Sequence, residues 1–172
     1  DGNSITFNDS VILGTDVVVD ENGTGDVTFN NTVNSDGTAR SLTVNTEGGN
    51  TVFNATVGVG SALNVLTTDN GTGDDITIIN TTTINGAVLD FNDPVEVAVG
   101  TPAAAGTATL TGTTSVDFLM TVNSSVNENN NLSISSDIIG FHGRIGEASP
   151  LGTLMTDGNS AGRNSPGPKS LF

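Results

Sequence analysis

Residues 29–50 read FNNTVNSDGTARSLTVNTEGGN, and residues 53–74 read FNATVGVGSALNVLTTDNGTGD. The two stretches align without a gap at a spacing of 24 residues. Phe29 falls on Phe53, Asn30 on Asn54, Thr32 on Thr56, Val33 on Val57, Ala39 on Leu63 and Leu42 on Leu66. A fixed period of this size is the mark of a repeat architecture and outranks local propensity. A shorter copy opens at Phe7 (FNDSVILGTDVVVDENGTG), and a degenerate one opens near Ile76. The stretch from Phe141, FHGRIGEASPLGTLMTDG, aligns with 53–70 through its Phe, Gly, Ser, Leu, Leu, Thr and Asp.

Within a unit the apolar positions stand at 0, +4, +10 and +13 from the Phe. Short alternating runs surround them: DVTFN, SLTVN, ITII, VEVAV, TATL and LSIS. Runs of β-branched residues between Gly, Asn and Asp corners predict two or three short strands per unit and no helix. Two all-β architectures satisfy that pattern, a parallel β-solenoid with ~24-residue coils and an antiparallel β-sandwich. The solenoid is favoured. Stacked coils demand a constant period, and they set like residue over like residue about 4.8 Å apart, Phe on Phe and Asn on Asn. A narrow interior of Val, Ile, Leu and Phe also suits a chain with no Trp or Tyr. Phe53 and Phe141 are 88 residues apart, not a multiple of 24, so coils between 76 and 137 must vary in length. VGTPAAAGTATLTG (99–112) and NSSVNENNNLS (123–133) read as corners that bulge out as loops. The solenoid is expected over 1–158, and the Gly-, Pro- and Ser-rich 159–172 reads as a tail or linker.

The chain has 172 residues, 19 acidic against 4 basic side chains, one His and no Cys. A net charge of −15 argues against nucleic acid or an anionic membrane as partner, since each requires a basic surface. The absence of Cys excludes disulfides and thiolate metal sites. No segment reaches the roughly 20 apolar residues of a membrane helix.

NGTGD stands at 22–26 and again at 70–74, with TEGGN (46–50) midway. Two readings compete. Oxygen-rich loops with tight Gly turns suit calcium, which takes six to eight oxygen ligands. On that reading Asp20, Glu21, Asn22 and Asp26 form one site, and Asp69, Asn70, Asp74 and Asp75 another. Calcium would then raise the melting temperature. The period favours the plainer reading of a recurring corner, where Gly accepts positive φ and Asp or Asn turns the chain. Gly25, Gly49 and Gly73 share one position in the unit, and Asp26, Asn50 and Asp74 form the neighbouring ladder. A phosphate loop does not fit, because no Lys and no helix follow the glycines.

Other candidates are weaker. His142 follows an inward Phe141 and is expected outside, near Arg144. The carboxylate pairs Asp74/Asp75, Asp90/Asp93 and Asp16/Asp20 have the residue types of a glycoside hydrolase. Sugar grooves, however, are commonly lined with Trp and Tyr, and this chain has neither. The Thr runs at 81–83 and 111–114 are too sporadic for a regular ice-binding array. Eight N-x-S/T sequons, at Asn8, Asn22, Asn30, Asn54, Asn70, Asn80, Asn123 and Asn131, are no more than expected in an Asn- and Thr-rich chain.

The units F-N-x-T-V with G-x-x-x-P-L-G-T-L resemble the β-strand repeats of filamentous-haemagglutinin-like bacterial surface adhesins. That resemblance implies a right-handed parallel β-helix, export to the cell surface, and a non-enzymatic role in adhesion or in a filamentous or biofilm matrix. It implies host or cell-surface glycans or proteins as partners and requires no cofactor. The alternative is a carbohydrate-binding or carbohydrate-cleaving β-helix. End-to-end self-association is also expected, with the tail adding as a strand to the next subunit.

Overall fold

A computed structural model of the protein describes residues 3–68, 75–158 and 169–170. Among these residues there is no helix, and the strands stack in parallel as a solenoid of about six turns. The antiparallel sandwich is thereby excluded. Three faces make up each turn. The first is a six-stranded sheet of β1 (Ile5–Phe7), β4 (Val27–Phe29), β7 (Thr51–Phe53), β9 (Thr77–Ile79), β11 (Val95–Val97) and β13 (Val122–Ser124), in that spatial order.

The second face begins with β2 (Val11–Leu13) and β5 (Val33–Ser35) and passes through the bridging residue Val57. It continues in the leading halves of β10 (Thr83–Phe91), β12 (Thr107–Phe118) and β14 (Asn131–Phe141), then in β15 (Leu154–Gly158). The third face holds β3 (Val17–Glu21), β6 (Leu42–Thr46), β8 (Leu63–Thr68) and the trailing halves of β10, β12 and β14. In the early turns a loop separates the second and third faces. From β10 onward one strand bends through the corner, slipping register between Gly86 and Val88 and between Gly112 and Ser115. A bulge at those points lets the chain turn without leaving the sheet.

Phe7, Phe29, Phe53, Ile79, Val97 and Ser124 occupy one column, so successive turns advance by 22, 24, 26, 18 and 27 residues. The inward side chains hold the register while the corners absorb the difference. The 18-residue turn from Ile79 to Val97 has a bulge where earlier turns have a loop. The 27-residue turn that follows carries an excursion over 98–106. The bulging segments are thus shorter than the sequence suggests: 107–112 belongs to β12, 122–124 to β13 and 131–133 to β14. Alternation along a strand decided this, because Ala108, Leu110, Leu132 and Ile134 are fully buried.

The interior is a continuous column of apolar side chains with two aromatic stacks. Phe7, Phe29 and Phe53 lie with ring centroids 4.8 and 5.3 Å apart on the first face. Phe91, Phe118 and Phe141 repeat this at 5.2 and 5.1 Å, at the end of the third face. The expected equivalence of 141–158 with 53–70 is therefore wrong. Phe141 lies in the column of Thr68, Phe91 and Phe118, and Leu154 pairs with Leu132, whereas Leu66 pairs with Leu42 and Leu89. Both stretches are a strand-ending Phe followed by a Gly-containing corner, so they match in composition although they occupy different faces.

Asparagine has a repeating task after the first face. The side-chain amides of Asn30, Asn54 and Asn80 donate in turn to the Oδ1 atoms of Asn8, Asn30 and Asn54, at 3.0, 2.8 and 3.0 Å. Two residues on, Thr32 Oγ1 donates to Ser10 Oγ at 3.0 Å. Four of the eight sequons are thus the visible trace of an amide ladder beside a hydroxyl column, not the chance product of composition. Asn54 sits inside the ladder, and Asn54→Ala removes one donated and one accepted bond. The expected loss is about 1–2 kcal/mol at this exposed site, read as a lower urea midpoint at unchanged m.

Candidate functional site

The NGTGD corner follows from β3. Alternation turns Glu21 inward at the end of that strand, where its carboxylate is buried and accepts the Gly23 and Gly25 N–H groups, both at 3.1 Å. Four residues after the buried carboxylate the backbone leaves the corner as Asp26. Asp26 N–H donates to Ser4 Oγ at 3.1 Å, Asn50 N–H to Asp26 Oδ1 at 2.8 Å, and Ile76 N–H to Asn50 Oδ1 at 3.2 Å. Ser4, Asp26 and Asn50 therefore form a column in which each side-chain oxygen takes the backbone N–H of the next coil. A short acceptor side chain is what an exposed corner needs to satisfy a donor that no ladder reaches.

The third member of that column is Ile76, not Asp74. The turn from Phe53 to Ile79 has two extra residues, so Ile76 stands one before Thr77 as Asn50 stands one before Thr51. By the same count Asp75, not Gly73, follows Gly25 and Gly49. Asp75 is buried, and Thr46 Oγ1 donates to its Oδ2 at 3.4 Å.

The proposed calcium ligands divide accordingly. Asp20 is exposed and accepts the Asn45 amide at 3.2 Å, Glu21 points into the core, Asn22 is exposed, and Asp26 serves the next coil. These four do not converge. Asp69, Asn70 and Asp74 lie outside the described residues. Among the described residues no group of three or more His, Cys, Asp or Glu side chains is placed to hold a metal ion.

The structure assembles a different constellation on the third face. Asp90 in β10, Asp117 in β12 and Gly140 in β14 occupy one outward column. His142 folds back one strand, with Nε2 3.0 Å from Asp117 Oδ1. A Cβ on Gly140 would stand 2.0 Å from the same oxygen, so the glycine makes room for the carboxylate. The imidazole is exposed as expected, but its neighbour is Asp117; Arg144 pairs with Glu147 instead. The expected pairings of carboxylates dissolve. Asp93 is buried and takes the Thr77 hydroxyl at 3.2 Å, away from Asp90. Asp16 accepts the Ser41 N–H at 2.8 Å, apart from Asp20. The Asp90–Asp117–His142 group was hidden in the sequence because its members lie 27 and 25 residues apart, a distance that has meaning only once each turn's length is known.

Burial first, and then the adjacent Asp117 charge, push the Asp90 carboxyl above its ordinary 3.8. A raised acid in the fold keeps a proton that the unfolded chain has already released. This group's contribution is therefore favourable at and below that ordinary value and is lost as pH rises through the raised value. Asp90→Asn is expected to remove that slope and to raise the melting temperature at pH 7, checked by melting curves of both proteins between pH 3.5 and 7.

No protein-family model matches the chain, and neither a curated protein nor a solved structure shows detectable similarity to it.

Proposed function

We propose that the chain is a non-enzymatic, extracellular segment of a cell-surface or matrix rod, with structural and adhesive work to do. The observation that supports this is where the polar side chains are engaged. The carboxylate and amide oxygens of Asp16, Asp26, Asn34, Asn50 and Asn123 each accept a backbone N–H of the following coil. Polar chemistry of this kind holds coils at a fixed rise and makes a stiff, quasi-one-dimensional body. A strongly acidic exterior keeps such a body soluble. The outward faces are then the surface available to a glycan or protein receptor.

A second reading has one observation behind it. Asp90 and Asp117 sit one strand apart, about 4.8 Å, which is near the roughly 5 Å separating the carboxyls of retaining glycosidases. One set of measurements separates the two. The purified chain is coated on a surface and probed with a glycan array, and in parallel is incubated with soluble polysaccharides. Retained binding with no release of reducing ends supports the adhesive rod. Release of reducing ends that is lost in Asp117→Asn would replace it with a carbohydrate-cleaving function.

A further inference from the structure

The last coil is where the stack is incomplete. Ala108 and Leu132 share a column and are fully buried, yet Leu154, next in that column, is only half-buried. Val95 and Val122 are fully buried, yet Ile145, bridged to Val122, is 40% exposed. Between these two columns lies an apolar concavity of about 340 Å³, lined by Ile145, Pro150, Leu151, Thr153 and Leu154. Every lining residue belongs to the last coil, so the concavity opens on the end of the solenoid, where a further coil would stack.

A strand already stands at that edge. β16 (Lys169–Ser170) runs antiparallel to β15, with Ser170 opposite Met155 and Lys169 opposite Thr156. Every other pairing between strands is parallel, so β16 is not another coil. Continuing its register brings Leu171 opposite Leu154 and Phe172 opposite Thr153, two residues that line the concavity. Residues directly opposite one another share a face of the sheet, and the face of Leu154 is the interior one. The chain outside the described residues thus ends on two apolar side chains at the one apolar opening of the described end.

We propose that Leu171 and Phe172 close this concavity as a cap supplied by the chain itself. The tail then belongs to its own subunit and does not extend to the next one. An antiparallel cap also removes the parallel template that the last coil would offer to a second copy.

The chain contains no Cys, so an introduced pair gives an unambiguous reading. Thr153→Cys with Phe172→Cys is made in the full chain and oxidised at low micromolar concentration. Directly opposed strand residues have Cα separations within disulfide reach. The expected product is a monomer with an intrachain disulfide, shown by mass spectrometry under non-reducing conditions. Ending the chain at Ser170 is expected to lower the melting temperature by roughly 4–8 °C and to create binding of an apolar fluorescent dye. Failure to form the disulfide, or a truncated chain with unchanged melting and no dye binding, would overturn the cap. A disulfide found between two chains would overturn it too, by assigning the concavity to a second copy. None of these readouts depends on adhesion or hydrolysis.

Discussion

Phe29→Ala is expected to destabilise the protein by about 3–5 kcal/mol, the range for removing a fully buried aromatic side chain. Phe29 is 1% exposed and lies between two parallel rings, 4.8 Å from Phe7 and 5.3 Å from Phe53. Substitution therefore removes two stacking contacts and leaves a cavity that stiff neighbouring strands cannot close. Each coil touches only the next, so the damage should be directional. β1 is held by its pairing with β4 and by the Asn30 N–H donated to the Phe7 carbonyl at 2.9 Å. The turns before Phe29 should fray first, while β10, β12 and β14 keep their protection. Hydrogen exchange reads this directly, as early loss of protection at Ile5–Phe7. Phe7→Ala, at the less buried end of the same stack, should cost less than half as much. Equal costs at the two positions would show that the stack contributes nothing beyond simple burial.

The period was legible because two neighbouring turns happen to have the same length and the same inward residues. Phe29/Phe53, Val33/Val57 and Leu42/Leu66 are register partners in the fold as in the alignment. What hid the rest was the freedom of the corners. A corner can gain or lose residues without moving the inward column, so a constant period fails where turns have 18, 26 or 27 residues. Each failure has the same origin. Phe141 was matched to the wrong face, Asp74 was set in a column that Ile76 fills, and Asp90 was paired with its sequence neighbour Asp93 although its partner lies one turn away in Asp117. Chemistry on a solenoid surface forms between turns, and a single sequence reports those distances only when every turn length is known.

Gly49→Ala tests what the NGTGD corner is for. Its Cβ would lie 2.0 Å from the Gly25 carbonyl oxygen and 2.3 Å from the Gly25 carbonyl carbon, both backbone atoms of the coil beside it. No side-chain rotation relieves that. The two coils would have to part locally by more than about 1 Å to restore ordinary contact. Three bonds oppose the movement: Glu47 N–H to the Glu21 carbonyl at 3.2 Å, Val27 N–H to the Asn50 carbonyl at 2.9 Å, and Asn50 N–H to Asp26 Oδ1 at 2.8 Å. Weakening all three at about 1 kcal/mol each puts the expected loss near 3 kcal/mol. The adjacent Gly48→Ala meets its nearest neighbour only at 3.4 Å. That substitution should be neutral or stabilise by about 0.5 kcal/mol, because it restricts the unfolded chain. Two neighbouring glycines would then answer the same substitution with opposite signs, as urea unfolding can show. The cost at Gly49 should also be the same in calcium and in EDTA, since the clash is between two backbones. A cost that changed with calcium would mean that the corner is organised around an ion and not around the column of Ser4, Asp26 and Asn50.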